Sequence, residues 1–175
     1  MPNNYDSIAR KLQQLNDRLP ILIGNEVVNF ALDNFEKQGF DTGSGVRKWD
    51  ERGGRSNIDP RPGGKILVGK QGGRLRRSIR RTRTTKSSVT VGSDEPYAGI
   101  HNEGGRITVT VTPRSRRFFW AMYYQTGEVY WKWMALTKKK MMTIKMPERR
   151  FLGNSKALER RIIKLIEREL QKCFT

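Results

Sequence analysis

The chain has 175 residues, with 35 Lys and Arg against 17 Asp and Glu, a formal charge of +18. That length suits one core rather than two, and an apolar share of 35% keeps the core modest and leaves some segments long and polar. No apolar run approaches the roughly 18 residues of a membrane helix, and no signal-peptide core is visible at the N-terminus. The single Cys173 and single His101 exclude an intrachain disulfide framework, a Cys-based zinc cluster and any metal site that needs two imidazoles. The charge balance fits an intracellular or virion-associated protein with polyanions or acidic surfaces as neighbours.

Residues 4–37 read as helix. Ile8, Leu12, Leu15 and Leu19 form one stripe, and Pro20 predicts a kink or break with a second helix beginning there. Val28, Ala31, Leu32 and Phe35 continue the apolar face, and Gly39 is a stop signal. Residues 39–71 read as a long Gly-rich loop, long enough to suggest a segment ordered by function or assembly. Trp49 stands out in it, either as an anchor that pins the loop on the core or as a subunit contact.

Gly72 and Gly73 precede a predicted basic helix, RLRRSIRR, in which Leu75 and Ile79 face inward. Val89 and Val91 alternate in a strand, as do Ile107, Val109 and Val111 further on. The two strands are expected in one small antiparallel sheet. Residues 114–140 read as a helical insertion rich in aromatics, broken at Thr126-Gly127 and ending in Lys138, Lys139 and Lys140. A closing strand, MTIKMP, leads through Pro147 to a last helix over 154–173, capped by Asn154 or Ser155. Leu158, Ile162, Leu165, Ile166, Leu170 and Cys173 form its core face. The order of elements predicts an α+β fold, with the sheet packed against N- and C-terminal helices.

Catalytic chemistry finds little support. His101 could pair with Asp94, Glu95 or Glu103, but a lone imidazole beside Gly104-Gly105 reads as structural. Asp41, Asp50, Glu51 and Asp59 could hold Mg²⁺ in a nuclease, yet they lie in the loop without a tight constellation and read as solvated charges. GKILVGKQGG lacks the full phosphate-loop pattern, since Gly69-Lys70 is followed by Gln71. No cofactor, metal or small-molecule ligand is expected.

Two clusters remain. Arg74, Arg76, Arg77, Arg80, Arg81 and Arg83 are six Arg in ten residues, a basic face for DNA phosphates or acidic protein neighbours, or a solvated face. Phe118, Phe119, Trp120, Trp131 and Trp133 could form a base-stacking platform. Their clumping on helices reads rather as packing or subunit contact.

Several pieces together resemble the virion morphogenesis (tail completion) family of long-tailed phages, typified by the Mu-like phages. They are Trp49 with Arg52; Gly64 to Val68; Gly73 to Ile79; Val89 to Gly92; Tyr97 to Gly105; and Met146 to Gly153 before a helix. Gly72 stands where the family usually has Thr or Ser, Asn102 replaces a common Gln, and the aromatic stretch is longer than in compact members. The resemblance implies a single domain over 1–175, divided as N-terminal helices (1–38), loop (39–71), basic helix and sheet (72–113), insertion (114–140), and closing strand with C-terminal helix (141–175). It implies a non-enzymatic protein of the neck or tail, forming a ring around the DNA channel and touching other neck and tail proteins. Within the motifs, Tyr97, Ile100 and His101 would fix a strand–turn on the core. Gly104 and Gly105 would supply positive φ, Pro147 would rigidify the exit of the last strand, and Phe151 and Leu152 would lock the last helix onto the sheet, with Arg149 and Gly153 as further structural residues of the motif. A free nucleic-acid-binding protein and a small metal-dependent nuclease or toxin are the competing readings.

Overall fold

The structure, a computed structural model, describes residues 4–50, 65–68 and 73–174. Expectations placed on Glu51, Arg52, Asp59, Gly64 and Gly69–Gly72 lie outside the described residues.

Helix α1 spans Asn4–Lys37 and runs through Pro20 unbroken, so of the kink or break expected there, the break and the second helix do not occur. An interior proline costs about 3 kcal/mol in a helix. Here Pro20 is itself buried, and the turns that follow bury Phe30, Ala31, Asn34 and Phe35, which offsets that cost.

The stretch expected to be all loop begins with a hairpin. Strand β1 (Gly39–Asp41) pairs with β2 (Val46–Lys48) in antiparallel register, Phe40 opposite Arg47. Thr42 and Gly45 close the turn through a backbone bond of 2.9 Å, and Gly43 takes a φ of 92°. A Cβ there would lie 2.7 Å from the Ala157 nitrogen at the start of the last helix, so this turn needs glycine on both counts.

The basic helix is shorter than its sequence suggested. Helix α2 covers only Arg74–Ser78, and Arg80–Thr84 is strand β3. It pairs with β4 (Val89–Gly92), with an irregularity between Arg81 and Arg83. Val89 and Val91 claim the ribbon's inward face by alternation, and the pairing draws the Arg-rich segment out of the helix. A Cβ on Gly24 of α1 would meet Arg81 Cδ and Val89 Cγ2 at 2.6 Å, so the ribbon lies close against α1.

YAGIHNE, expected as a strand–turn, is helix α3 (Ala98–Glu103). It ends at Gly104, whose φ is 71° and whose hypothetical Cβ would sit 2.7 Å from the Glu148 nitrogen. Gly105 also takes positive φ, as anticipated. Strand β5 (Gly105–Thr110) pairs with β6 (Met141–Met146) from Gly105↔Met146 to Thr110↔Met141. The two strands expected to share a sheet therefore lie in different ribbons, and among the described residues the β component of this α+β fold is three two-stranded antiparallel sheets.

Between β5 and β6 stand α4 (Pro113–Thr126) and α5 (Val129–Leu136). Thr112 caps α4 in a reciprocal box with Ser115, and Gly127, left-handed at φ 70°, separates the helices. The Lys138–Lys140 triad lies beyond the end of α5, in the connection to β6, because Thr137 is extended and stops the helix. Helix α6 (Lys156–Phe174) follows Ser155, whose hydroxyl accepts from the Ala157 nitrogen at 3.0 Å. It packs on α1, with Leu165 and Cys173 buried.

Two separate cores result. The main one joins Ala31, Phe35, Trp49, Leu75, Ile79 and Phe151. The other joins Phe119, Met122, Trp131 and Ala135 within the α4–α5 pair. Truncating a buried Phe typically costs about 3–5 kcal/mol, more than a small helical pair can sustain. We expect Phe119→Ala to make the amides of 113–136 exchange rapidly while those of 26–35 in α1 stay protected. Parallel loss of protection in α1 would show that the two cores are one cooperative unit.

Candidate assembly interface

The motif residues Tyr97–Gly105 and Met146–Gly153 come together at a single crossing. Strand β6 ends at Pro147, which has no N–H to continue the ladder. The chain then passes between α1, α3 and the β1–β2 hairpin. Arg149 is buried. Its backbone nitrogen donates to His101 O at 2.8 Å, and its guanidinium donates to Asp50 O at 3.2–3.3 Å. Asn102 Oδ1 accepts from the nitrogens of both Phe151 and Leu152 at 3.0 Å, while its Nδ2 donates to Leu152 O at 3.1 Å. Asn34 Nδ2 donates to Phe151 O at 3.2 Å, and Asn34 Oδ1 accepts from the Asp41 nitrogen at 3.1 Å.

Trp49 belongs to this crossing and not to a subunit contact. Its indole Nε1 donates to Arg150 O at 2.7 Å, and its ring meets Phe35 edge-on at 5.3 Å. It is buried within the chain, so the anchor reading holds. Phe151 packs on Phe35 at 5.1 Å, so Phe151 locks onto α1, not onto a sheet. Gly153, also at positive φ, turns the chain towards α6.

Tyr97 and His101 meet edge to face at 5.9 Å across one turn of α3. Burial pushes the His101 imidazole below its usual value of 6.5, and the Arg149 guanidinium adds to this. His101 Nδ1 is buried and has no hydrogen-bond partner among the described residues. Among the described residues, no group of three His, Cys, Asp or Glu is arranged to hold a metal ion.

The six Arg do not share one face. Arg74 and Arg76 lie on α2, and each has a carboxylate partner at 2.7 Å, Glu95 and Glu36 respectively. Arg77 also belongs to α2. Arg80, on β3, pairs with Asp94. The hydrogen bond to Glu95 raises the Arg74 pKa further. Much of the negative charge expected from outside is thus supplied by this chain. On β3, Arg81 and Arg83 are exposed and pair with no carboxylate among the described residues.

The aromatic insertion divides by burial. Phe119 and Trp131 stack at 6.1 Å inside the arm's own core, so neither offers a contact surface. Trp120 is half-buried and stacks on Tyr124 at 6.0 Å. Phe118 and Trp133 are exposed. Arg116 fastens the helices by donating to Ala135 O at 2.8 Å and to Thr137 O at 2.5 Å.

The model of the phage virion morphogenesis family matches residues 3–171. The chain belongs to that family. The crossing and the arm are therefore features of a virion-assembly protein, and the family gives the chain a role in phage virion morphogenesis. No curated protein and no solved structure matches it. Among the described residues, no helix of this family member is long and apolar enough to cross a membrane.

Composition and spacing did not reveal Asn34 and Asn102 as the residues that fasten the crossing. A signal was present for Asn34, a polar residue within the apolar stripe of Ala31 and Phe35. Asn102 carried no such signal.

The lowered pKa of His101 has a definite sign in stability. The unfolded chain takes up the proton first as pH falls, so the neutral ring's contribution is complete above about pH 6.5 and is lost as pH drops through the folded value. We expect His101→Gln to keep the fold and to flatten the fall of denaturant midpoint between about pH 7.5 and 5. An unchanged pH profile would remove His101 as the source.

Proposed function

We propose that this chain is a non-enzymatic structural subunit of the phage neck or tail. It completes the tail or the head–tail joint as part of a homo-oligomeric ring around the DNA channel. The observation that carries this reading is the α4–α5 arm. It has its own small core, yet leaves Phe118, Tyr124, Val129, Trp133 and Leu136 exposed. An apolar surface of that kind marks a contact, and membership of a virion morphogenesis family makes an assembly partner its natural occupant. A modest core suffices when assembly buries further surface.

Within a ring, β3 would supply cations that pair with no carboxylate among the described residues. Arg81 and Arg83 would face phosphates without regard to sequence. Arg81→Gln with Arg83→Gln should lower the salt slope of duplex affinity by about two units. An unchanged slope assigns β3 to protein contact or solvent. Tight, salt-dependent duplex binding by a soluble monomer absent from particles would favour a free nucleic-acid-binding protein instead.

The arm can be removed cleanly, because Thr110 and Met141 face each other at the ribbon's end. Replacing residues 111–140 by Asn-Gly supplies the two-residue turn that such a hairpin favours. We expect a folded main body that no longer enters particles, read by denaturation and by electron microscopy of purified virions with density assigned to the chain. Normal incorporation of the shortened chain would overturn the reading.

A further inference from the structure

Helix α5 has two apolar faces. Trp131 and Ala135 turn into the arm's core. Val129, Trp133 and Leu136 follow at i, i+4 and i+7 on the opposite side, with relative exposures of 55%, 67% and 50%. The arm's principal packing partners are its own elements, α4 on α5 and β5 on β6, so this stripe is not covered by the main body. Lys132 borders it, and Lys138, Lys139 and Lys140 follow directly after it. From Gly105 to Met146 the arm carries nine Lys and Arg against one acid, Glu128.

We propose that this stripe docks in an apolar groove with an acidic rim on a different virion protein. The proposal deepens the assembly reading by naming the partner's chemistry. Three observations select it. First, Val129 and Leu136 flank Trp133 and offer only apolar surface, which an apolar groove can cover and phosphates or base edges cannot. Second, the nine-to-one charge ratio calls for carboxylates around the groove.

Third, a second copy of the chain supplies them poorly, because its Lys and Arg outnumber its acids 35 to 17 and eight of those acids are paired within the chain. Glu36, Asp41, Asp94, Glu95, Glu148 and Glu169 are already engaged by this chain's Lys and Arg, and Arg161 bridges Glu26 and Asp33. The chain remains at +18, so a second copy offers this basic stripe no net negative surface, and contacts between copies in a ring fall on other surfaces. The apolar stripe supplies affinity, and the lysines supply orientation and discrimination against copies of the chain itself.

The test places benzoylphenylalanine at position 133 of the full chain in phage-infected cells and irradiates during assembly. Trp133 is exposed, so the substitution leaves the arm's core intact; the same probe at position 136 repeats the measurement from the next turn. Mass spectrometry of the adduct should identify a peptide from another phage protein, rich in Asp and Glu. Lys138→Glu, Lys139→Glu and Lys140→Glu together should reduce its yield about tenfold. An adduct to this chain, an adduct to nucleic acid, no adduct from either position, or a yield indifferent to the charge reversal would each overturn the proposal. Presence of the chain in purified particles is scored separately. A chain absent from particles but cross-linked to an acidic partner sinks the neck or tail reading alone. A chain present in particles but cross-linked to its own copy sinks this inference alone.

Discussion

The fold depends on carrying one segment outside helix and strand, Arg149 to Gly153, past an apolar interior without stranding its peptide groups. Such backbone has no ladder of its own to satisfy it, and an unpaired buried N–H or C=O costs about 1–3 kcal/mol. Asn102 meets three of these groups, Asn34 a fourth and the Trp49 indole a fifth. With the polar groups met, the Phe151 ring can lie against Phe35 and complete the core. Three regions distant in sequence thus meet on five residues. Amide side chains suit the task because each carries both donor and acceptor in one plane.

This arrangement separates the molecule's two requirements. The main body spends its apolar residues on closing around that segment, and eight of its carboxylates on its own Arg and Lys. The arm is assembled from local contacts, with a reciprocal cap at Thr112, a left-handed glycine at Gly127 and a short aromatic core. It can therefore present apolar and cationic groups outward without weakening the main core. The Arg-rich segment is intermediate. Its first half is tied to Glu36 and Glu95, while β3 continues as an exposed edge bearing Arg81 and Arg83.

Much of this was legible in the sequence where periodicity and turn chemistry agree. The stripe of α1, the alternation of Val89 and Val91, the break at Gly127 and the core face of α6, except for Leu170, which is exposed, follow from local pattern. The failures have a common physical cause, since tertiary contacts overrode local preference. Pro20 stays helical because it is itself buried and the turns that follow it bury Phe30, Ala31 and Phe35. Arg80 and Arg81 leave the helix because β4 offers them a ladder. Ala98 to Glu103 becomes helical, which lets Asn102 and the His101 carbonyl both reach the crossing segment. At the candidate site, aromatic enrichment marked the insertion correctly, but composition could not separate inward Phe119 and Trp131 from outward Phe118 and Trp133. That separation depends on how two helices face each other.

The crossing also sets an order of events during synthesis. Asn34 and Phe151 lie 117 residues apart, and Trp49 and Arg150 lie 101 apart. At about 5–20 residues per second, a ribosome needs roughly 6–23 s to make the stretch between Asn34 and Phe151. Throughout that interval the apolar stripe around Phe30 and Phe35 has emerged without its closing segment. The arm, whose contacts are local, can form before the main body does. A nascent chain of this protein therefore presents its basic arm to the cell while its own interior is still open, and it depends on dilution or chaperones until the last thirty or so residues arrive.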